Sequence, residues 1–175
     1  APQTPFGSMS VLPDLLTSAF DDGFIVRPDG SNYTCHSTVS REECEVLHRL
    51  VTETKPTNTL EIGFCMGFSG CAILQALSET GGTMHYAIDP AQESLAQNIG
   101  KENIGRLGFS DRFTLFEDYP ENVVPQIPPV QFAFSDGSHM FDLTMLDFAL
   151  VDKKLEVGGV VGFHDLWMPA LQKVL

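Results

Sequence analysis

Residues 59–70 have the sequence TLEIGFCMGFSG, and this stretch decides the fold. It begins with apolar residues at alternate positions, Leu60 and Ile62, passes through three glycines, and leads into a helical pattern that includes Ala72 and Leu77. A short strand, a glycine turn and a helix in this order form the first half of a βαβ unit. We therefore expect a loop at the carboxyl end of a strand, followed directly by a helix.

Strand and helix patterns alternate in the same way along the rest of the chain. Strand-like runs cover 84–89, 112–116, 130–136 and 160–164, and helical patterns cover 40–54, 93–107 and 141–154. Ser40 and Glu43 have the spacing of a capping box, Gly81 is expected to end the second helix, and a last helix is predicted near Trp167. Five short strands separated by helices predict an α/β protein with a doubly wound, mainly parallel sheet.

The two ends of the chain depart from this regular pattern. Residues 1–39 are expected to form a poorly regular arm or lid with one helix at 12–20, and residues 40–175 are expected to form the ligand-binding domain. The predicted helix near Trp167 runs to the end of the chain, and the strand before it would be an exposed, Val-rich sheet edge. We therefore expect a domain truncated at its carboxyl end. The alternative is that 175 residues are the whole protein and the last helix covers that edge.

The composition narrows the function classes. Apolar residues make up 43% of the chain and charged residues 19%, which is typical of one packed globular domain. Ten Lys and Arg against 23 Asp and Glu give a net charge of -13, so a nucleic-acid partner is not expected. No secretory signal and no run of ~20 apolar residues is found, which predicts a soluble cytoplasmic protein without a membrane partner. The four cysteines include no CxxC pair and are expected to be free thiols.

The glycine loop suggests a nucleoside ligand. Gly63 and Gly67 allow a tight turn, and the helix that follows offers unpaired N–H groups to an anion. The order E-x-G-x-x-x-G-F-S differs from the dinucleotide pattern G-x-G-x-x-G, which disfavours a pyrophosphate. Asp89 ends the next strand, where a carboxylate can accept from both hydroxyls of a ribose. The alternatives are a glycine turn that only packs strand against helix and an Asp89 that only starts a helix.

Four motifs together resemble a known family. LEIGFCMGFSG, AIDP, FSDGSH and GGVVGFHD are similar to motifs of class I S-adenosylmethionine-dependent methyltransferases, in particular the small-molecule O-methyltransferases of the catechol and macrocin types. The likeness covers about residues 40–170. It implies a Rossmann-like fold, S-adenosylmethionine as cofactor, and methyl transfer to a hydroxyl of a small molecule such as a sugar or a catechol-like phenol. It also implies a further carboxyl-terminal strand pair that this chain lacks.

The resemblance implies a set of cofactor-binding residues. Glu61 and the loop backbone would meet the methionine end, Ser69 would hold its carboxylate, and Asp89 would take the ribose hydroxyls. Asp118, at the end of the third strand, would lie near the adenine, although a solvated loop is the alternative. The remaining candidates are loop residues: Gly63, Phe64, Gly67 and Phe68.

Asp136 and His139 are the candidate catalytic residues. Asp136 ends the fourth strand, and Gly137 permits a sharp turn that directs both side chains toward the cleft. Catechol-type relatives have a lysine general base at the position that His139 occupies, and a histidine can do the same work nearer neutral pH. The alternative is a surface or helix-capping histidine.

A divalent metal site is a further expectation from the resemblance. Metal ligands are implied at Asp136 and Asp165, but Leu166 stands where catechol-type enzymes have Asn, and His164 precedes the second aspartate. Histidine is a poor magnesium ligand but acceptable to manganese, iron or zinc. The resemblance thus implies Asp136 and Asp165 with His164 as a candidate third ligand, and Mg, Mn or another cation as the metal. The alternatives are a third ligand elsewhere or a water, or a satisfied His164 and no metal. Trp167 either lines an acceptor pocket or packs the last helix.

Two other function classes remain open at the level of sequence. An NAD-dependent oxidoreductase would share the doubly wound sheet, although the missing G-x-G-x-x-G argues against it. A methyltransferase-like binding module without catalysis is suggested by the broken Asp-Asn pair, because a fold does not guarantee an activity.

Overall fold

The structure is a computed structural model that describes residues 11–174. Six helices are found in this range: α1 (Asp14–Asp22), α2 (Arg41–Thr54), α3 (Phe68–Thr80), α4 (Ile99–Arg106), α5 (Pro120–Val123) and α6 (Phe141–Asp152). The strands of the same range are β1 (Phe24–Val26), β2 (Asn32–Thr34), β3 (Asn58–Ile62), β4 (Met84–Ile88), β5 (Phe113–Phe116), β6 (Val130–Ser135) and β7 (Leu155–Phe163). None of the helices in this range is long and apolar enough to cross a membrane.

Five strands form the central sheet in the order β5-β4-β3-β6-β7, and all neighbouring pairs are parallel. The order reverses at β3, whose last residue Ile62 is paired with Ile88 on one side and with Ser135 on the other. The predicted α/β fold with a doubly wound, mainly parallel sheet is therefore confirmed. In such a sheet ligands bind beyond the carboxyl ends of the strands at the reversal point.

The two faces of the sheet have separate hydrophobic cores. Helices α1 to α4 cover one face, where Ile73, Leu77 and Phe132 are completely buried. Helices α5 and α6 cover the other face, where Leu60 and Ile88 are completely buried. Both faces of a parallel sheet must be covered, because its strands are apolar on both sides.

Helices α2 and α3 begin and end as the sequence predicts. Ser40 accepts from the backbone N–H of Glu43, and the Glu43 carboxylate accepts from the backbone N–H of Ser40, so the capping box is complete. Gly81 ends α3 in the left-handed conformation, with a φ of 81°.

Two predicted elements differ from the structure. Helix α4 is shorter than the predicted 93–107, because Gln97 and Asn98 have positive φ values that interrupt helical geometry. Strand β7 begins at Leu155 rather than at 160, because Leu155 already pairs with Val130 of β6, and Gly158-Gly159 lies in an irregularity of the register before Val160 pairs with Phe132.

The amino-terminal arm is more regular than expected. The predicted helix at 12–20 is present as α1, and β1 and β2 form an antiparallel hairpin that the sequence pattern did not reveal. Leu16, Ile25 and Tyr33 are buried in the same core as α3, so described arm residues pack on the domain. Residues 1–10 lie outside the described residues, and the division into arm and domain stays a prediction.

The carboxyl-terminal region also differs from expectation. Only a short 3₁₀ turn at Leu171–Lys173 is found where a helix was predicted from near Trp167. Within residues 11–174, β7 forms one edge of the sheet, and Val157 on this strand is fully exposed.

Replacing Gly63 by Ala tests how closely two loops of the sheet approach. An added Cβ would lie 2.1 Å from the backbone oxygen of Asp136, and the φ of Gly63 is 87°. Gly81 has a φ of 81° but open space around it, so Gly81→Ala isolates the cost of the backbone conformation, about 1–2 kcal/mol. We expect Gly63→Ala to lower the free energy of unfolding by roughly 2 kcal/mol more than this control in urea titrations. Equal decreases in the free energy of unfolding for Gly63→Ala and Gly81→Ala would contradict the close approach of Gly63 to the backbone of Asp136.

Candidate active site

A cavity of about 940 Å³ lies at the carboxyl edge of the sheet, where the strand order reverses. Its wall is formed by the loop 63–69 after β3, residues 88–91 after β4, residues 136–139 after β6, and residues 164–165 after β7. The volume is at the upper end of the 300–1,000 Å³ range of small-molecule pockets. The cavity is therefore the candidate active site.

The glycine loop is held by its own backbone conformation. Gly63, Cys65 and Gly67 all have positive φ, which turns the chain sharply between β3 and α3. Gly63 has no room for a Cβ because the backbone of Asp136 lies against it, and a Cβ at Gly67 would lie 2.6 Å from the ring of Phe64. Both predicted glycines line the cavity, and both are required by packing as well as by any ligand.

Two predicted contact residues place their rings in the core. Phe64 is 2% exposed and packs its ring 5.0 Å from that of Phe113. Phe68 is equally buried and packs edge to face on Phe20, with ring centroids 5.1 Å apart. Because these rings fill the space beneath the loop, they support it from below.

Asp89 ties the loop to the end of β4. Its Oδ2 accepts from the backbone N–H of Cys65 at 2.6 Å and of Phe64 at 3.3 Å, and its Oδ1 accepts from the N–H of Ala91 at 2.8 Å. The carboxylate lines the cavity and is 8% exposed. Asp89 therefore combines a structural role with a position in which it can still accept from a ligand hydroxyl.

The amino terminus of α3 faces the cavity. Its N-cap is Gly67, which has no side chain to cap the first N–H groups, and Phe68 and Ser69 of the first turn line the cavity. Uncapped N–H groups and the helix dipole favour an anion at this point.

Glu61 lies beneath the loop and does not line the cavity. It is completely buried, and its Oε2 lies 3.1 Å from Nε2 of His85, whose Nδ1 contacts Oγ1 of Thr59 at 2.8 Å. Oε1 of Glu61 has no hydrogen-bond partner among residues 11–174. Burial raises the pKa of Glu61, and the contact with His85 opposes this rise. The predicted role of Glu61 at the methionine end of the cofactor therefore stays a prediction. The sequence does not indicate the contact between Glu61 and His85, because a histidine in an apolar strand carries no specific signal.

Asp118 lies outside the cavity wall. Its Oδ1 accepts from the backbone N–H of Tyr119 and from the side-chain amide of Asn122, so it is held by local contacts at the start of the short helix α5. Two of its neighbours, Tyr119 and Glu121, line the cavity instead. The solvated-loop alternative for Asp118 thus agrees with its position.

Four predicted residues converge at the ends of β6 and β7. Nε2 of His139 lies 2.8 Å from Oδ2 of Asp165 and 3.9 Å from Oδ1 of Asp136. Nδ1 of His164 lies 3.1 Å from Oδ1 of Asp136 and 3.3 Å from Oδ2 of Asp165. Asp136, His139 and Asp165 offer ligand atoms that all lie within 4.8 Å of one another. His139 is thus part of the group that could hold a cation, together with the two predicted aspartates.

His164 is a positive charge between carboxylates. Although Nδ1 lies 3.1 Å from Asp136, the two groups are not aligned for a hydrogen bond, so charge attraction carries the contact. On the other side of the ring, Nε2 lies 3.0 Å from Oε1 of Glu43. The contact with Asp136 raises the pKa of His164 to about 9, burial opposes it, and Glu43 and Asp165 add to the rise. His164 is therefore protonated at neutral pH.

Trp167 fixes the orientation of Asp165. The indole Nε1–H donates to Oδ1 of Asp165 at 2.8 Å, and Asp165 has a positive φ of 54°. The indole ring is 72% exposed and lines the cavity together with Met168. Both of these residues therefore line the cavity rather than pack a last helix.

The fold is that of a class I methyltransferase, and the comparisons with known proteins agree. A family model described as "Methyltransferase domain" matches residues 60–166, and the chain belongs to this family. The predicted resemblance to class I S-adenosylmethionine-dependent methyltransferases is thereby confirmed, whereas the catechol and macrocin types are not singled out. Curated protein sequences give no match to the chain.

Three solved structures illustrate the similarity of fold. The SAH-bound methyltransferase PaMTH1 of Podospora anserina is 17% identical, with a TM-score of 0.72 over 95% of this chain and 74% of that one. The O-methyltransferase of Bacillus cereus in complex with SAH is 22% identical, with a TM-score of 0.67 over 91% and 68%. The O-methyltransferase TomG of Streptomyces achromogenes is 22% identical, with a TM-score of 0.62 over 71% and 55%.

The charge on His164 predicts a pH dependence of stability. Its pKa in the folded protein is about 9, above the ordinary value of 6.5, so its stabilising effect is complete below pH 6.5 and is lost as the pH rises through 9. We expect His164→Gln to lower the free energy of unfolding by on the order of 1–2 kcal/mol at pH 6, after allowance for solvent screening, and to have little effect at pH 10. Urea titrations with a chelator present measure this difference. A loss that is the same at both pH values would contradict a protonated His164.

Proposed function

We propose that the chain is an S-adenosylmethionine-dependent O-methyltransferase that acts on a hydroxyl of a small molecule. The observation that carries the proposal is one cavity that contains the glycine loop, Asp89 and the cluster of Asp136, His139 and Asp165. The loop and Asp89 fit a nucleoside-containing cofactor, and the cluster fits removal of a hydroxyl proton.

The parts of the cofactor match features along the carboxyl edge of the sheet. The uncapped amino terminus of α3 and Ser69 fit the methionine carboxylate, and Asp89 fits the ribose hydroxyls. The loop residues Gly63 and Gly67 lie between these two points and leave the backbone open to the cavity. The volume of about 940 Å³ gives room for the cofactor with a small acceptor beside it.

His139 is the proposed general base. When bound, the cofactor supplies an electrophilic methyl group on a sulfonium sulfur, and the protein must orient the acceptor oxygen and remove its proton. Asp165 lies 2.8 Å from Nε2 of His139 and favours a proton on that nitrogen, which leaves Nδ1 as the proton acceptor. Trp167 holds Asp165 in turn, and the exposed His139 lines the cavity. Nδ1 of His139 would thus take the hydroxyl proton while the acceptor oxygen receives the methyl group that the bound cofactor supplies.

A divalent cation is the second candidate for the same cluster. Two carboxylates and one imidazole suit manganese, iron or zinc better than magnesium, and the ligand atoms lie close enough to share one ion. A cation held by Asp136, His139 and Asp165 would activate the acceptor hydroxyl, and His139 would then be a ligand rather than a base. His164 already supplies positive charge between the two aspartates, which supports the metal-free arrangement.

The proposed acceptor is a small hydroxylated molecule such as a sugar or a catechol-like phenol. Two structural neighbours are O-methyltransferases, and TomG is involved in tomaymycin synthesis, which supports an oxygen acceptor of low mass. The exposed Trp167 ring and Met168 at the cavity offer an apolar surface to such a molecule. The net charge of -13 disfavours a nucleic-acid acceptor. The family membership disfavours the NAD-dependent oxidoreductase that the sequence left open.

Asp89→Asn tests the proposed cofactor site. The substitution keeps the shape of the side chain but removes the charge that accepts from two loop N–H groups and from a ribose hydroxyl. We expect the dissociation constant for S-adenosylhomocysteine to rise at least about tenfold in calorimetric titrations. Glu93→Gln, at an exposed position near Asp89, is the matched control and should bind like the parent chain. Equal affinities for the two variants would contradict the role of Asp89.

His139→Ala tests the proposed chemistry. We expect kcat with a hydroxylated acceptor to fall by roughly 10²–10⁴-fold, because the general base is lost, while the affinity for S-adenosylhomocysteine stays the same. A radiolabelled methyl-transfer assay on a panel of phenols and sugars measures kcat, and His36→Ala at an exposed position is the control.

The same assay with and without a chelator separates the two candidate roles of the cluster. Activity that survives chelation supports His139 as the base, whereas activity that is lost and restored by one divalent ion supports the metal. Cofactor binding without turnover on any acceptor would contradict the enzyme and favour a binding module.

A further inference from the structure

Asp147 on α6 is a buried carboxyl in the wall of the cavity, and the proposed chemistry does not use it. Its side chain is 4% exposed, and it lines the cavity on the side of α5 and α6. A Cβ at Gly137 would lie 3.6 Å from Oδ2 of Asp147 and 3.0 Å from Cγ2 of Ile62. The carboxyl group therefore lies next to the carboxyl ends of β3 and β6.

Among residues 11–174, Asp147 has no partner that explains its burial. None of the hydrogen bonds and ion pairs among residues 11–174 involves its carboxyl group. Burial raises the pKa of Asp147 to about 6, and the nearby Glu121 adds to the rise. An unpaired buried carboxylate destabilises a fold, so a ligand that supplies a donor is a physical reason to retain it.

Several apolar residues line the same cavity as Asp147. Ile62 and Ile88 form the floor at the strand ends, and Leu143 and Leu146 precede Asp147 on α6 by about one turn and by one residue. All of these residues line the cavity. Apolar side chains and a carboxyl acceptor in one part of a cavity fit a flat heteroaromatic ring that carries a donor on its edge.

The position of Asp147 in the cavity agrees with the order in which the parts of the cofactor are proposed to bind. The amino terminus of α3 and the amino-terminal arm belong to one face of the sheet, whereas Ile62, Ile88 and helices α5 and α6 belong to the other. If the carboxylate binds at α3 and the ribose at Asp89, the part of the cavity on the second face, which Asp147 lines, is left for the base.

We propose that Asp147 accepts a hydrogen bond from the exocyclic amino group of the cofactor's adenine and makes the site selective for a 6-aminopurine. The inference rests on the proposed function, because it requires the cofactor to bind in this cavity. An ionised carboxylate can only accept, so it pairs with an amino group and repels the carbonyl oxygen of a 6-oxopurine. Glu121 at the same end of the cavity adds negative charge that favours the same choice.

The test compares S-adenosylhomocysteine with its deaminated analogue S-inosylhomocysteine by calorimetry. We expect the parent chain to bind the adenosine form at least about tenfold more tightly. The inosine form would place its 6-oxo oxygen, an acceptor, against the Asp147 carboxylate, which is also an acceptor. In Asp147→Asn, the amide can present either its oxygen or its NH₂ group, so the preference should fall to within about threefold. Asp142→Asn, on an exposed position of α6, is the matched control and should keep the parent preference.

A second measurement separates this role from a merely structural one. Because Asp147 is buried without a partner in the described part of the chain, Asp147→Asn should leave the melting temperature of the ligand-free protein unchanged or raise it. Loss of both stability and affinity for the two nucleosides in parallel would overturn the proposal. An unchanged preference in Asp147→Asn, with tight binding of S-adenosylhomocysteine, would overturn it and leave the proposed function intact. No binding of S-adenosylhomocysteine by the parent chain would instead overturn the proposed function, and this inference with it.

Discussion

The contact between the loop after β3 and the backbone after β6 is the constraint on which the site depends. Gly63 leaves no space for a side chain against the carbonyl of Asp136, so the two loops meet where the strand order reverses. Because they meet, the amino terminus of α3 and the cluster around His139 open into one cavity. Gly63 is therefore needed first because it lets the two loops pack together. That Gly63 also leaves the loop backbone open to a ligand is a second consequence of the same missing side chain.

The charges of the site are balanced across distant parts of the chain. Glu43 caps α2 with one oxygen and holds His164 with the other, so a helix amino terminus is connected to the end of β7. His164 in turn compensates Asp136 and Asp165, which would otherwise repel each other. This arrangement lets an acidic chain place several carboxylates around one cavity, and it leaves His139 beside Asp165, where we propose that proton transfer takes place.

The sequence predicts those features that depend on local patterns. The capping box at Ser40, the glycine that ends α3 and the parallel order of strands follow from spacing and periodicity, and Asp136, His139, His164 and Asp165 converge because parallel strands end at one edge. The roles of individual side chains depend on tertiary contacts that no local pattern encodes. The ring of Phe64 turns into the core, Asp118 contacts Tyr119 and Asn122, and Asp147 lines the cavity from α6.

The most direct test of the central claim is calorimetric titration of the chain with S-adenosylhomocysteine. We predict saturable binding at one site per chain, because the glycine loop, the uncapped amino terminus of α3 and Asp89 all line one cavity. Titration of the Asp89→Asn variant under the same conditions shows whether the heat of binding comes from S-adenosylhomocysteine bound in this cavity. Absence of saturable binding, or binding that this variant does not weaken, would contradict the claim that the cavity holds the cofactor.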